Sequence, residues 1–145
     1  MNAIQGFYEL AENFCAYLDR NTVSEDSVDI LIRYLMRLYI GAMDLPEIRN
    51  LEGEKERNKA IPRVEVAFDS CYWEVFNPHD RNDLVASDIV DDLSDIYRDL
   101  KDGVNEYEAG RRNNAVFIWK LYFESHWGKH ITDLLRVFHQ VKTSE

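Results

Sequence analysis

Apolar residues recur at three- and four-residue intervals along most of this chain, and that spacing strongly limits what it can fold into. Residues so spaced share one face of an α-helix, and the face must be buried against another element. Phe7, Leu10, Ala11, Phe14 and Leu18 predict a first helix that ends at Arg20-Asn21. Thr22-Val23-Ser24-Glu25 then reads as a capping box, in which the threonine hydroxyl accepts from the Glu25 amide and the Glu25 carboxylate reaches back. It opens a second helix carrying Val28, Leu31, Ile32, Leu35, Leu38, Tyr39 and Ala42, closed by Pro46.

Residues 44–61 change character: charge density rises and Gly53 interrupts, which predicts a mobile charged connector. Pro62 suits a first helical position. The segment that follows fits two periods. Val64, Val66 and Phe68 alternate as in a strand, whereas Val64, Phe68, Cys71, Tyr72 and Val75 form a longer helical stripe. With no second strand pattern to pair with, the expectation is a helix that stops at Asn77-Pro78. A fourth helix is expected over 87–109, ending at Gly110, and a fifth over about 113–140, with Gly128 as a point of bending. The expected architecture is all-α: one helical bundle of about five helices spanning 1–145.

The 145 residues are 46% hydrophobic, enough for one domain with a real core. The formal charge is -10, which repels phosphate backbones and anionic membrane surfaces and argues against nucleic acid as a partner. No run of about 18 apolar residues occurs, so no membrane association is expected. Cys15 and Cys71 have no metal-type spacing and are expected to be buried free thiols. These features, with an N-terminus unlike a secretion signal, point to the cytoplasm.

On the 87–109 helix, Ile89, Leu93, Ile96, Leu100, Val104 and Tyr107 fall within about 60° of one another and form the core stripe. Asp92, Asp99, Asp88, Asp95, Asp102 and Asp91 follow around one flank, and Arg98 and Lys101 lie on the other. On the 113–140 helix, Phe123, Trp127, Ile131, Leu134 and Phe138 form the stripe, with His130 at its edge and His126 one step out. Lys120 falls on or near the stripe and needs a buried acidic partner, for which Asp92 or Asp99 is available. Trp119 and Val137 fall off-centre and suggest a second apolar edge for a partner or dimer mate. Trp73, Trp119, Trp127 and the tyrosines could form a recognition surface, although most are better explained as core.

His126 and His130, four residues apart, can present two imidazoles to one ligand. A third ligand has to come from the 87–109 helix, because Glu124 points elsewhere on the wheel. The chain contains no HExxH, no Gly-rich phosphate loop and no GxSxG elbow. Asp91-Asp92-Leu93-Ser94-Asp95 has DDxxD spacing, but such matches are common by chance in an acidic helix.

CYWEVFNP, DDLSDIYRDLKDG followed by YEAG, and HWGKH carry a resemblance. The chain resembles a bacterial family known as domain of unknown function 5063, whose members show YWEVF before a proline, an acidic helix close to DDLxDIYRDLKxG, and HWGxH. The likeness covers roughly 1–140 and is strongest over 71–140. It implies a small helical bacterial protein and supplies no activity, cofactor or catalytic residue. Trp73, Lys101 and Tyr107 fall in these motifs, as do most of the polar residues singled out by their chemistry. The expected polar cluster is Asp92, Asp95, Tyr97, Asp99, Glu124, His126, Trp127 and His130. With no complete catalytic constellation, the leading expectation is a protein-binding or adaptor module without a cofactor, suited to a basic partner. The alternative is a metal-binding protein or metal-dependent hydrolase holding a divalent ion at His126 and His130. Oligomeric state is not legible in the sequence.

Overall fold

The computed structural model describes residues 2–53 and 61–144. Residues 54–60 of the expected connector lie outside the described residues. Helix α1 (Ala3–Arg20) starts at Asn2, whose side chain accepts from the Gln5 amide, and buries Phe7, Ala11, Phe14, Cys15 and Leu18. A short 3-10 turn (Glu25–Ser27) leads into α2 (Val28–Met43), which buries Val28, Leu31, Leu35, Leu38 and Ala42. The capping box at this start joins Ser24 to Ser27, two residues later than Thr22. Thr22 instead faces Glu65, because Val23 is drawn into a backbone bridge with residues 65–67.

That bridge belongs to the segment expected to be a helix, and the expectation is wrong. Residues 61–70 run extended, with Val64, Val66 and Phe68 turned inward and their neighbours exposed. Strand β1 (Cys71–Val75) pairs antiparallel with β2 (Leu84–Asp88), Trp73 opposite Ala86. β-Branched and aromatic residues favour this state. The partner strand carries little apolar alternation, since Val85 is its one inward apolar residue beside Ser87. The HDRND segment is the hairpin loop, held by Asx contacts: Asn77 accepts from the His79 amide and Asp80 from the Asn82 amide. One further expectation, a buried Cys71, fails with the helix. Cys71 is exposed, not buried, and Trp73 is 71% exposed, because both lie on the outward face of β1.

Helix α3 (Ile89–Glu108) is capped by Asp88, which accepts from the Val90 amide, and ends at Gly110 with φ 86°. Ile89, Leu93, Ile96, Leu100 and Val104 are buried as a stripe. The expected 113–140 helix is two helices, α4 (Arg112–Tyr122) and α5 (Gly128–Thr143), joined by a wide π turn at Phe123–Trp127. The described residues thus hold five α-helices and one hairpin, a mostly helical single domain.

The π turn corrects the reading of Trp119. At about 100° per residue, Trp119 and Trp127 would stand about 80° apart. Each residue of a wider turn rotates less, which cancels most of that offset. Both indoles are fully buried, Trp127 Nε1 donates to the Trp119 carbonyl at 3.1 Å, and Phe7 packs on both. Trp119 is therefore core, not a second apolar edge. Lys120 also departs from expectation: its ammonium donates to the Leu45 carbonyl at 2.7 Å, beyond the end of α2, and not to Asp92 or Asp99. A cation there favours the carbonyl end of a helix.

The described part of the 44–61 segment docks on the start of α4. Asn114 exchanges hydrogen bonds with the Glu52 backbone at 2.7 and 2.9 Å, and Asn113 donates to the Asn50 carbonyl and the Glu52 carboxylate. Asn114 also donates to Glu106, which is fully buried and paired with Arg111.

Candidate metal centre

α3 and α5 run antiparallel, so residues rising on one helix meet residues falling on the other. The aspartate row 92, 95, 99 therefore meets the histidine row 130, 126. His126 Nδ1 lies 2.5 Å from Asp99 Oδ2, and His130 Nδ1 lies 3.0 Å from Asp92 Oδ1. Each imidazole thus turns its δ nitrogen to a carboxylate, which assigns the proton to Nδ1 and leaves the Nε2 lone pair facing away.

The two Nε2 atoms face each other at 3.2 Å. Asp95 Oδ2 completes a triangle with them, 3.6 Å from His126 Nε2 and 3.3 Å from His130 Nε2. Ligand bonds of about 2.0–2.1 Å in a tetrahedral zinc site place the ligand atoms about 3.3–3.4 Å apart. The three sides match that spacing. With Nδ1 protonated on both rings, three acceptors converge on one point without a donor among them, which favours a cation there.

Every corner has a partner behind it. Asp99 stands behind His126, Asp92 behind His130, and Arg98 Nη1 lies 3.2 Å from the other oxygen of Asp95. Histidine ligands of metals ordinarily hold such a carboxylate on their second nitrogen. Burial raises the Asp99 carboxyl above its ordinary range, against the opposing pull of His126. The contact with Asp92 raises His130 and outweighs the opposing effect of burial. The Asp92 oxygen lies off the line of the His130 Nδ1–H bond, so the contact is a bent one between the carboxylate and the N–H dipole. The His126 side chain is 44% exposed, Asp95 31% and His130 20%, so solvent reaches the triangle.

Of the eight residues expected in the polar cluster, five meet here: Asp92, Asp95, Asp99, His126 and His130. Tyr97 does not, because its hydroxyl donates to Asp19 on α1. Trp127 is core, and Glu124 is exposed and lines a small cavity with Glu47 and Lys120. Lys101 and Tyr107 also turn to α1, to Glu12 at 3.0 Å and onto the Tyr8 ring at 4.1 Å.

The sequence reading missed the hairpin's share of this region. Tyr72 donates from β1 to Asp92 Oδ2, and Glu74 accepts from Lys129, the residue before His130. Lys129 also donates to Asp133 at 2.6 Å. Burial and the neighbouring Glu74 push the Asp133 carboxyl up to about 6. Glu74 Oε2 is buried without a donor, so a proton on Asp133 would satisfy it. The available signal was the alternation of Tyr72 and Glu74 on one strand face. A cleft of about 460 Å3 between β1 and α5 is lined by Tyr72, Trp73, Asp133 and Arg136 among others; Asp95, His126 and His130 do not line it.

A mostly helical domain with a small hairpin, carrying a two-histidine, one-aspartate triangle between antiparallel helices, is the class of protein that fold and site define. The chain matches the family described as Domain of unknown function (DUF5063) over residues 1–144, and it belongs to that family. It is similar in fold to the crystal structure of protein BF1032 from Bacteroides fragilis, with a TM-score of 0.72 and 22% identity over 99% of this chain and 97% of that one. No curated protein matches the chain. No helix among the described residues is long and apolar enough to cross a membrane.

Proposed function

We propose that this chain is a divalent metal-binding protein of the zinc class, with Asp95, His126 and His130 as its ligands. One observation carries the reading: the three ligand atoms form a triangle with sides of 3.2, 3.3 and 3.6 Å. Two imidazoles and one carboxylate suit zinc or a neighbouring transition metal better than magnesium or calcium, which prefer oxygen. Three protein ligands and an exposed fourth position resemble catalytic zinc sites, where a bound water becomes an effective nucleophile near neutral pH. Hydrolysis is thus the chemistry the open position offers.

The test is elemental mass spectrometry and zinc titration of the untagged protein, beside a His126→Ala/His130→Ala variant. Near-stoichiometric metal, lost in the variant, supports the reading. Wild-type protein that takes up no zinc at micromolar concentrations sinks it.

A protein-binding role is the second reading, favoured by the outward face of the hairpin. Trp73 is 71% exposed, Leu84 58% and Val75 39%, on a chain of formal charge -10 that suits a basic partner. Capture of a specific partner by wild type and not by Trp73→Ser supports this role; equal capture by both argues against it.

A further inference from the structure

Asp92 is 5% exposed, an unusual environment for a carboxylate. Such a group must be paired or hydrogen-bonded to remain charged. Both of its oxygens are engaged: Oδ1 lies 3.0 Å from His130 Nδ1, and Oδ2 accepts from the Tyr72 hydroxyl. Tyr72 comes from β1, far from the helices in sequence and on the inward face of the hairpin. The hydroxyl stays protonated, since burial and the adjacent Asp92 both hold its pKa high.

We propose that Tyr72 and Asp92 are positioning residues of the metal centre, holding His130 in the Nδ1-protonated tautomer with Nε2 turned to the ion. This rests on the metal-binding reading above. Asp92 keeps the proton on Nδ1 and makes Nε2 a better donor to a cation. Tyr72 fixes the second oxygen of Asp92, so the first remains directed at His130. Removing the hydroxyl leaves a buried carboxylate oxygen without its donor. The carboxylate then has reason to turn, and the turn weakens its hold on His130. Asp99 holds His126 directly at 2.5 Å and forms the simpler of the two arms.

The experiment uses three near-isosteric variants of the full chain: Tyr72→Phe, Asp92→Asn and Tyr97→Phe. Tyr97 also donates to a carboxylate from α3, but that carboxylate is Asp19, away from the triangle. Zinc dissociation constants are measured by chelator competition, and the nitrogen-15 shifts of the His130 ring report its tautomer. Wild type is expected to bind one equivalent of zinc. Tyr72→Phe and Asp92→Asn should bind about 10–100-fold more weakly, the usual effect of losing an outer partner. Asp92→Asn should also shift the His130 ring toward mixed tautomers, a change that general destabilisation would not produce. Tyr97→Phe should match wild type. If wild type binds zinc and all three variants bind equally well, the positioning role is overturned and the metal centre stands. If wild type binds no zinc, both are overturned.

Discussion

A Cβ atom on Gly103 would lie 2.1 Å from the Trp119 indole nitrogen. Gly103 is the gap in α3 through which the Trp119 ring reaches the helix backbone, where it donates to the Leu100 carbonyl at 3.0 Å. Helix propensity alone would make alanine better here by about 1 kcal/mol. Overpacking opposes it, and the fully buried ring has little room to yield. Gly103→Ala is therefore expected to destabilise the protein by about 1–3 kcal/mol in chemical denaturation. A gain in stability would mean that the ring can move.

Zinc should raise thermal stability by tying α3 to α5. At free zinc 100-fold above its dissociation constant, linkage predicts about 2.7 kcal/mol. His130→Ala should abolish the shift. The ion requires neutral imidazoles, and Asp92 holds His130 protonated to higher pH than usual, so zinc affinity should climb as pH rises through and beyond about 6.5. For metal-free protein the sign is opposite. The folded-state pKa is raised, so the stability His130 contributes is complete below about 6.5 and is lost as pH rises through the folded value. Thermal scans from pH 5.5 to 8, with and without zinc, should diverge; parallel curves would argue against the assignment.

Asp133 adds a second pH dependence. Its carboxyl is pushed up to about 6 in the folded protein, against about 3.9 in an unfolded chain. Its contribution to stability is therefore complete below about 3.9 and is lost as pH rises through 6. Unfolding free energies from pH 4 to 7.5 should fall for wild type relative to Asp133→Asn. Equal slopes would show that no proton is held between Asp133 and Glu74.

Asn114 ties the 50–52 strand of chain to α4 and to Glu106. Asn114→Ala leaves Glu106 without one of its donors and frees the Glu52 amide. The expected loss is about 1–3 kcal/mol, the cost of leaving a buried polar group short of a partner. Amide exchange at Glu52 should speed up in the variant; unchanged protection would mean that other contacts hold the segment.

The helical stripes of α1, α2 and α3 were legible because each depends on one period and one buried face. Segment 63–76 was not, because Val64 and Phe68 satisfy two periods at once. Only the nonlocal pairing with 84–88 decides between them, and Ser87 reads locally as a helix start. The spacing of Asp92, Asp95 and Asp99 against His126 and His130 was also legible, since each set keeps to one side of a helix. Whether the two sets met depended on the antiparallel return after Gly110 and on the rotation between α4 and α5. Tyr72 reaches Asp92 only through the strand pairing, which no local period in its segment specifies.

The π turn at Phe123–Trp127 acts as a phase correction in an otherwise continuous rod. If those five residues wound at regular pitch instead, everything beyond them would turn by about 80° relative to α4. With Trp119 fixed in the core, His126 and His130 would swing off the α3 seam and Ile131, Leu134 and Phe138 out of the interior. Losing one residue there would restore regular pitch and keep the alignment, since seven residues at about 100° each return to within about 20° of two full turns. The pitch of this short segment is thus a form of information separate from its composition, and it aligns the buried tryptophans with the histidines at the surface.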